Sequence, residues 1–552
     1  MEFSSVNKLY EKAFKENWDR PAISNYQGVT LHYRDVARRI EKLHIVFEEC
    51  GLQKGDKVAL CSRNQANWAV AFLAAMTYGA VPVPLLHEFK SSNVHHLVNH
   101  SEAKILFVDD VVWEGLNESE MPDLAAIIQV NTFKLLLARD ERITHAREHL
   151  NEMFGKKYPE AFTKDTLNYY EDSADELAVI NYTSGTSGFS KGVMIPYRAI
   201  YSNIEFAKGV LPNLDCTKSV VSMLPSAHMY GLMFEVLYEL SVGAHVHFLS
   251  RVPSPKIIMQ ALAEVKPYVV IAVPLVIEKI YKSKVKPVLE KEGIRFLMKL
   301  PVLNQVVMNK IRTELVNAFG GQFEEVIIGG AAFNKEVEAF FKKINFPFTV
   351  GYGMTECAPI ITYDDWKDEK LYSCGKVAPN LEIKVDSSDP RNIPGEVLVK
   401  GENVFLGYYK NQEATESALT HDGWFHTGDM GIIDEDGSLF LKGRSKCMIL
   451  GPSGQNIYPE EIETVINSRP YVVESLVVED NGGLTALVYP DFALGAKDGM
   501  SQDALIKYFE DSLGDLNKEL PNYARIKKIE VMSEDFERTP KKSIKRYLYQ
   551  RS

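Results

Sequence analysis

Three observations predict an α/β fold spread over more than one domain. Strand-like apolar runs alternate with helix-patterned stretches through the first third of the chain, which predicts parallel sheets covered by helices on both faces. Short strands and turns then dominate from Gly375 to Tyr408, as in a small barrel. After Arg444 the texture changes again, to a compact α+β pattern. At 552 residues the chain is too long for one ordinary core. The expected architecture is a large N-terminal domain of α/β sandwich subdomains plus a small β-barrel, followed by a small α+β C-terminal domain.

The elements follow in order. Leu31 to Cys50 reads as a helix, with Gly51 just past its end as a C-terminal cap. Lys54-Gly55-Asp56 is a turn into the strand 57–61. The uncharged run from Trp68 to Leu86 is long enough to span a bilayer. It contains Gly79, Pro82 and Pro84, however, and reads better as a buried helix, 67–78, followed by a strand, 80–84. Residues 103–108 form another strand. Pro267 to Val276 reads as a buried strand closed by Pro274, and 277–319 as a long, basic, helix-patterned segment. Strands are expected at 326–328 and 347–350. In the last part, 458–468 and 504–520 read as helices, and 472–478 and 485–489 as strands. The domain boundary falls between Gly443 and Cys447.

Composition narrows the class. A net charge of −12 argues against broad nucleic-acid binding, which needs excess positive charge. The six cysteines are scattered without a CxxC pair, so neither a zinc site nor a disulfide framework is expected. A reducing cytoplasm is the expected location. Met1-Glu2-Phe3-Ser4-Ser5 does not read as a signal peptide. Peripheral membrane contact and oligomeric state stay open.

The most informative stretch runs from Thr183 through Ser184, Gly185, Thr186, Ser187, Gly188, Phe189, Ser190, Lys191 and Gly192 to Val193. Glycines let a backbone fold around an anion with its N–H groups inward, hydroxyls add donors, and Lys191 adds a point charge. That combination suits the phosphates of a nucleotide. It is not a GxxxxGK[ST] P-loop, because Ser190 precedes the lysine and Gly192 follows it. The plain alternative is a Ser/Gly-rich surface loop.

This stretch resembles the phosphate loop of the adenylate-forming superfamily: acyl-CoA synthetases, peptide-synthetase adenylation domains and beetle luciferases. Nearly the whole chain can be matched to that family, most closely to the bacterial long-chain fatty acyl-CoA synthetases. Family members usually carry proline at Ser190. Gly351-Tyr352-Gly353-Met354-Thr355-Glu356 resembles the nucleotide motif. A carboxylate beside a phosphate loop is costly unless a cation lies between them, so Glu356 is the expected Mg²⁺ ligand. Thr355 would contact the α-phosphate and Tyr352 would lie against adenine, with Gly353 in the same turn. Gly329, Gly330, Ala331 and Ala332 would form a flat adenine wall. Leu224-Pro225-Ser226-Ala227-His228 resembles the motif lining the acyl pocket, where His228 would orient the acyl group or clear the CoA channel. Tyr230 stands near the position of a tryptophan gate in long-chain members.

The resemblance extends into the C-terminal part. Asp429 would accept hydrogen bonds from both ribose hydroxyls; its plain alternative is to cap a turn at Met430-Gly431. Arg444 would bind ribose or phosphate, and Lys446 would be the hinge. The domains would then span 1–443 and 448–552, joined at 444–447, with the second acting as a mobile lid. Gly454 would let the backbone approach pantetheine. Thr539-Pro540-Lys541-Lys542-Ser543-Ile544-Lys545-Arg546 departs from the family motif, because Ser543 occupies the position of the adenylation lysine. Lys542, or failing that Lys541, could reach the phosphate instead.

The activity implied is ATP-dependent ligation of a carboxylic acid to CoA through acyl-AMP. Lys191, Thr355, Glu356, His228 and Lys542 would act in catalysis, with ATP, Mg²⁺ and CoA as cofactors or co-substrates. A long-chain fatty acid is the expected substrate. Aryl- or medium-chain acyl-CoA ligation, acylation of a carrier protein, and a nucleotide-binding protein with impaired adenylation are the alternatives.

Overall fold

A computed structural model describes residues 2–184, 190–250, 254–450, 456–480, 483–539 and 543–551. Three sheets with parallel cores dominate the larger part. The first has the strand order Val81–Leu85, Lys57–Cys61, Ala103–Val108, Ala126–Gln129, Leu135–Ala138; its pairings are parallel except the last. The second orders Ser219–Ser222, His245–Phe248, Pro21–Asn25 and Thr30–His32. The third places Val270–Ala272, Val326–Ile328 and Phe348–Val350 side by side, all parallel. The apolar strands of the first and third sheets follow from burial on both faces.

The run that was long enough for a membrane span is a buried helix, Ala66–Tyr78, followed by the strand Val81–Leu85. Gly79, in the left-handed region at φ 88°, ends the helix. A β-carbon there would press on the Tyr170 ring at 3.1 Å. Trp68 and Phe72 stack one turn apart with ring centroids at 5.3 Å and pin this helix into the main core.

Antiparallel sheets follow. Leu381–Asp386, Gly395–Gly401, Phe425–Ile433 and Leu439–Arg444 form one, and Tyr352–Gly353, Ile360–Tyr363 and Lys376–Val377 another. From Ile457 onward the core residues cluster among themselves. Ile462, Ile466, Leu505, Phe509 and Leu516 pack against the sheet Val472–Asp480, Gly483–Pro490, Ile526–Val531. The molecule is thus a mixed α/β protein with a large N-terminal and a small C-terminal part.

Three expectations need correction. Leu31 and His32 belong to a strand, Thr30–His32, and the helix begins at Tyr33, because the backbone of 30–32 pairs with Pro21–Asn25. The strand expected over 267–276 is only Val270–Ala272. Pro274 does more than close it: it opens the helix Pro274–Ile280 at a position where a missing N–H costs nothing. Met430-Gly431 is no turn, since both residues lie within the strand Phe425–Ile433.

Candidate active site

The phosphate-loop stretch is an antiparallel hairpin. Leu177–Ser184 pairs with Ser190–Pro196, so that Thr183 faces Lys191 and Ser184 faces Ser190. Gly185, Thr186, Ser187 and Gly188 lie outside the described residues. Gly192 is fixed by crowding: a β-carbon there would meet Ile180 and Tyr182 at 3.1 Å. The third strand of this small sheet is Gly407–Tyr408, which pairs with Val193 and Met194.

That third strand brings the hairpin and the Glu356 turn together. The Lys191 ammonium lies over the Tyr408 ring, 4.6 Å from its centroid. The Tyr408 hydroxyl donates to Glu356 Oε1 at 2.9 Å. Cation and carboxylate thus meet on one aromatic ring, and among the described residues they form no salt bridge with each other. Two opposite charges held close but not neutralised by contact leave each available to a charged ligand. Glu356 and Tyr408 are both buried.

The turn carrying Glu356 is tightly built. Gly353 cannot carry a side chain, since a β-carbon would sit 2.1 Å from the Pro359 oxygen. The Met354 amide donates to that same oxygen at 2.8 Å. Thr355–Cys357 then forms one 3₁₀ turn.

Beside it lies a second polar group. Tyr352 donates its hydroxyl to Asp429 Oδ2 at 2.6 Å, and Arg444 Nε pairs with Asp429 Oδ1 at 2.7 Å. Burial raises the Asp429 carboxyl, and the Arg444 charge opposes that shift. Both carboxylate oxygens are engaged, yet an ionised carboxylate has further lone pairs, so Asp429 keeps acceptor capacity for a ligand hydroxyl.

The residues expected to form the adenine wall sit at the carboxyl ends of parallel strands. Gly329 and Gly351 follow directly on the carboxyl ends of Val326–Ile328 and Phe348–Val350. The Gly351 amide donates to the Ile328 oxygen at 2.9 Å. A β-carbon on Gly329 would touch the Tyr230 ring at 3.3 Å. Gly330 adopts φ 88°, and Ala331 and Ala332 are exposed. Tyr230 is anchored through its hydroxyl to the Ile327 oxygen at 3.0 Å. The loop expected at the acyl pocket therefore abuts the glycine wall.

That loop is held from three directions by residues that sequence reasoning missed. Asn64 Oδ1 accepts from the Ser226 amide at 2.8 Å, and Asn64 Nδ2 donates to the Leu224 oxygen. Asn181, on the first strand of the phosphate hairpin, donates to the Ala227 oxygen at 3.0 Å. Glu235 is fully buried and accepts from the Met223 and Leu224 amides and the Ser222 hydroxyl, all within 3.0–3.3 Å. It stands in a π-helical turn, Met233–Leu237, within the helical run that His228 opens. Burial pushes its carboxyl well above the ordinary range, against the pull of these three donors.

Lys446 is exposed in the 3₁₀ turn Ser445–Cys447. Gly454, Lys541 and Lys542 lie outside the described residues. On their flanks, the Thr539 amide donates to the Ser543 oxygen at 2.8 Å. Arg546 is tied to Glu463, and Lys545 to Glu537 at 3.2 Å.

The chain belongs to the AMP-binding enzyme family: the family profile matches residues 10–409, and that of the AMP-binding enzyme C-terminal domain matches residues 448–551. Among curated relatives, a long-chain-fatty-acid–CoA ligase of Mycobacterium bovis, FadD15, is 26% identical over 560 residues, covering 93% of this chain and 89% of that one. The 4-coumarate–CoA ligase 1 of Narcissus pseudonarcissus is 24% identical over 529 residues, covering 93% and 87%. In fold the chain is similar to the o-succinylbenzoate coenzyme A synthetase of Bacillus subtilis in complex with ATP and magnesium ion, with a TM-score of 0.74 at 21% identity over 98% of both chains. The expected membership in the adenylate-forming superfamily is borne out.

Proposed function

We propose that this protein is an AMP-forming acid–thiol ligase that activates a fatty acid, with a long chain as the preferred substrate, and passes it to CoA. The observation that carries the reading is the meeting of Lys191 and Glu356 on Tyr408. Attack of a carboxylate on an α-phosphate brings two anions together, and charge neutralisation is the main task. Lys191 would supply positive charge to the phosphates. Glu356, a single oxygen-donor side chain, fits a magnesium ion that arrives with ATP, since that ion keeps phosphate and water ligands and needs only one or two carboxylates.

Each remaining residue takes a step in order. Tyr352 and the Gly329–Ala332 wall would hold adenine, and Asp429, fixed by Tyr352 and Arg444, would take the ribose hydroxyls. Thr355 would contact the α-phosphate. The carboxylate would enter past His228, attack phosphorus, and displace pyrophosphate to give acyl-AMP. Lys542, or Lys541, would stabilise the charge developing on the phosphate. The C-terminal domain would then turn about Lys446 within the 444–447 hinge, Gly454 would approach pantetheine, and the CoA sulfur would displace AMP.

A long-chain acid is favoured by the FadD15 relative. An aryl acid is the second reading, supported by the 4-coumarate relative at nearly the same identity. One experiment addresses both. Carboxylate-dependent ATP–pyrophosphate exchange, followed by thioester formation with CoA, is measured over acids from acetate to oleate and over benzoates. Exchange and thioester formation are expected with the long-chain acids. A best rate with a benzoate supports the second reading, and no exchange with any acid removes the ligase reading.

Glu235 gives a sharper check on the acyl loop. Glu235→Gln keeps the shape but replaces one acceptor oxygen with a donor facing backbone amides. The KM for the acid is expected to rise by about tenfold, the worth of one buried hydrogen bond, while that for ATP stays within about twofold. Equal changes in both constants would show that Glu235 supports the fold in general rather than this loop.

A further inference from the structure

The turn that carries Glu356 holds a conformation it would not keep alone. Ala358, two positions on, lies in the left-handed region at φ 59°, which a residue with a side chain adopts only where its surroundings over-determine it. Those surroundings are polar, buried and drawn from two segments. Asn203 is fully buried; its amide donates to the Cys357 oxygen at 3.4 Å, and its oxygen accepts from the Ile360 amide at 3.2 Å. One side chain thus spans the Ala358 turn. From the other segment, buried Asn403 donates to the Ile360 oxygen at 2.9 Å, and the Phe405 amide donates to the Glu356 oxygen at 2.9 Å.

Both segments lead back to the hairpin that carries Lys191. Asn203 lies on the helix Tyr197–Val210, which begins where the strand Ser190–Pro196 ends. Residues 402–409 include Tyr408, and the Leu406 and Tyr409 amides donate to the Met194 and Gly192 oxygens at 2.9 and 2.7 Å. The same helix also reaches this second segment. Arg198, paired with Asp175 at 2.8 Å, donates from Nη1 to the Glu402 oxygen at 2.6 Å. One helix therefore grips the Glu356 turn and the Tyr408 segment together. Among the described residues, neither Asn203 nor Arg198 bonds to the side chain of Lys191, Glu356 or Tyr408. Whatever they do for those groups passes through backbone.

From this arrangement we infer that the helix Tyr197–Val210 sets the spacing of Lys191 and Glu356, with Asn203 and Arg198 as positioning residues for the Glu356 carboxylate. The inference rests on the proposed role of Glu356 toward the magnesium that arrives with ATP.

Two variants of the full chain test it. Asn203→Ala releases both ends of the turn. Arg198→Met keeps the stem of a partly exposed side chain and removes the bond to Glu402, so it should melt close to the parent even if Asn203→Ala does not fold. In the nucleotide-free protein, amide hydrogen exchange over residues 355–360 should quicken by about tenfold in Asn203→Ala, while the strand Gly395–Gly401 is unchanged. By calorimetry, the affinity for ATP in the presence of magnesium should fall by about tenfold in Asn203→Ala and about threefold in Arg198→Met. Affinity for ATP without magnesium, and the KM for the acid, should stay within about twofold. In a Glu356→Gln background neither substitution should weaken magnesium-dependent binding further, because the group being positioned is gone. An unchanged magnesium-dependent affinity in a variant that folds, an equal loss with and without magnesium, or full additivity with Glu356→Gln would each overturn the inference. A failure of the magnesium reading looks different: Glu356→Gln alone then leaves the affinity unchanged. In that case quickened exchange over 355–360 in Asn203→Ala still supports the positioning role, and parental exchange there overturns it.

Discussion

Glu356→Gln is expected to lower carboxylate-dependent pyrophosphate exchange by roughly 10²-fold, the cost of losing one preorganised electrostatic group at a reacting phosphate. The substitution keeps side-chain volume and retains an oxygen to accept the Tyr408 hydroxyl, which donates to Glu356 at 2.9 Å in the parent. The turn around it is set by backbone contacts, with Met354 bonded to Pro359 and no room for a side chain at Gly353. The variant should therefore melt like the parent while losing activity. If Glu356 holds the cation as proposed, the loss should also shrink as magnesium is raised. Exchange at the parental rate would take Glu356 out of the mechanism and leave the adenylation itself to other residues.

The second large effect concerns stability. Glu239 is buried in the helix Tyr238–Ser241, and neither of its carboxylate oxygens has a partner outside its own residue. Burial raises its pKa from 4.5 to about 8. The folded value lies above the unfolded one. Its contribution to stability is thus fully present below about pH 4.5, falls as the pH rises toward 8, and then levels off. Glu369, raised to about 8, and Glu325 and Glu338, each raised to about 7, act with the same sign, burial being the first cause in each case. Thermal stability should accordingly decline between about pH 5 and pH 8. Glu239→Gln removes the largest unpartnered contribution. It should match or fall below the parent near pH 5 and exceed it above pH 8, by an amount on the order of a few kcal/mol. Urea titrations at both ends of the range check this; parallel pH profiles for parent and variant would contradict the assignment.

How far the sequence could be read depended on whether information was contiguous. The strands 57–61 and 103–108 were legible because each is a short apolar run bracketed by turns or helices. The helix start at Tyr33 was not, because pairing with Ile23 and Pro21 overrides local helix pattern at Leu31 and His32. The strand Ile526–Val531 had no expectation attached, since Lys527, Lys528 and Glu530 break its apolar run. The same division holds at the site. The phosphate hairpin, the Glu356 turn and Asp429 sit in local motifs and were named from them. Tyr408 completes the site from 52 positions beyond Glu356, and Asn64 holds Ser226 across 162 positions, separations that no local pattern registers. Glu235 did leave a trace: it and Glu239 are the acids in an otherwise apolar stretch from Met229 to Leu240.

Because Asn64, Asn181 and Glu235 grip residues 222–227 mainly by backbone atoms, selectivity would not be a cassette if this loop lines the acyl pocket as proposed. A transplanted loop keeps its shape only if its tethers come with it, and one of those tethers, Asn181, is rooted in the strand Leu177–Ser184. Evolution toward a new acid is then channelled into the side chains of a fixed scaffold, and retuning one substrate's berth strains the berth of the other.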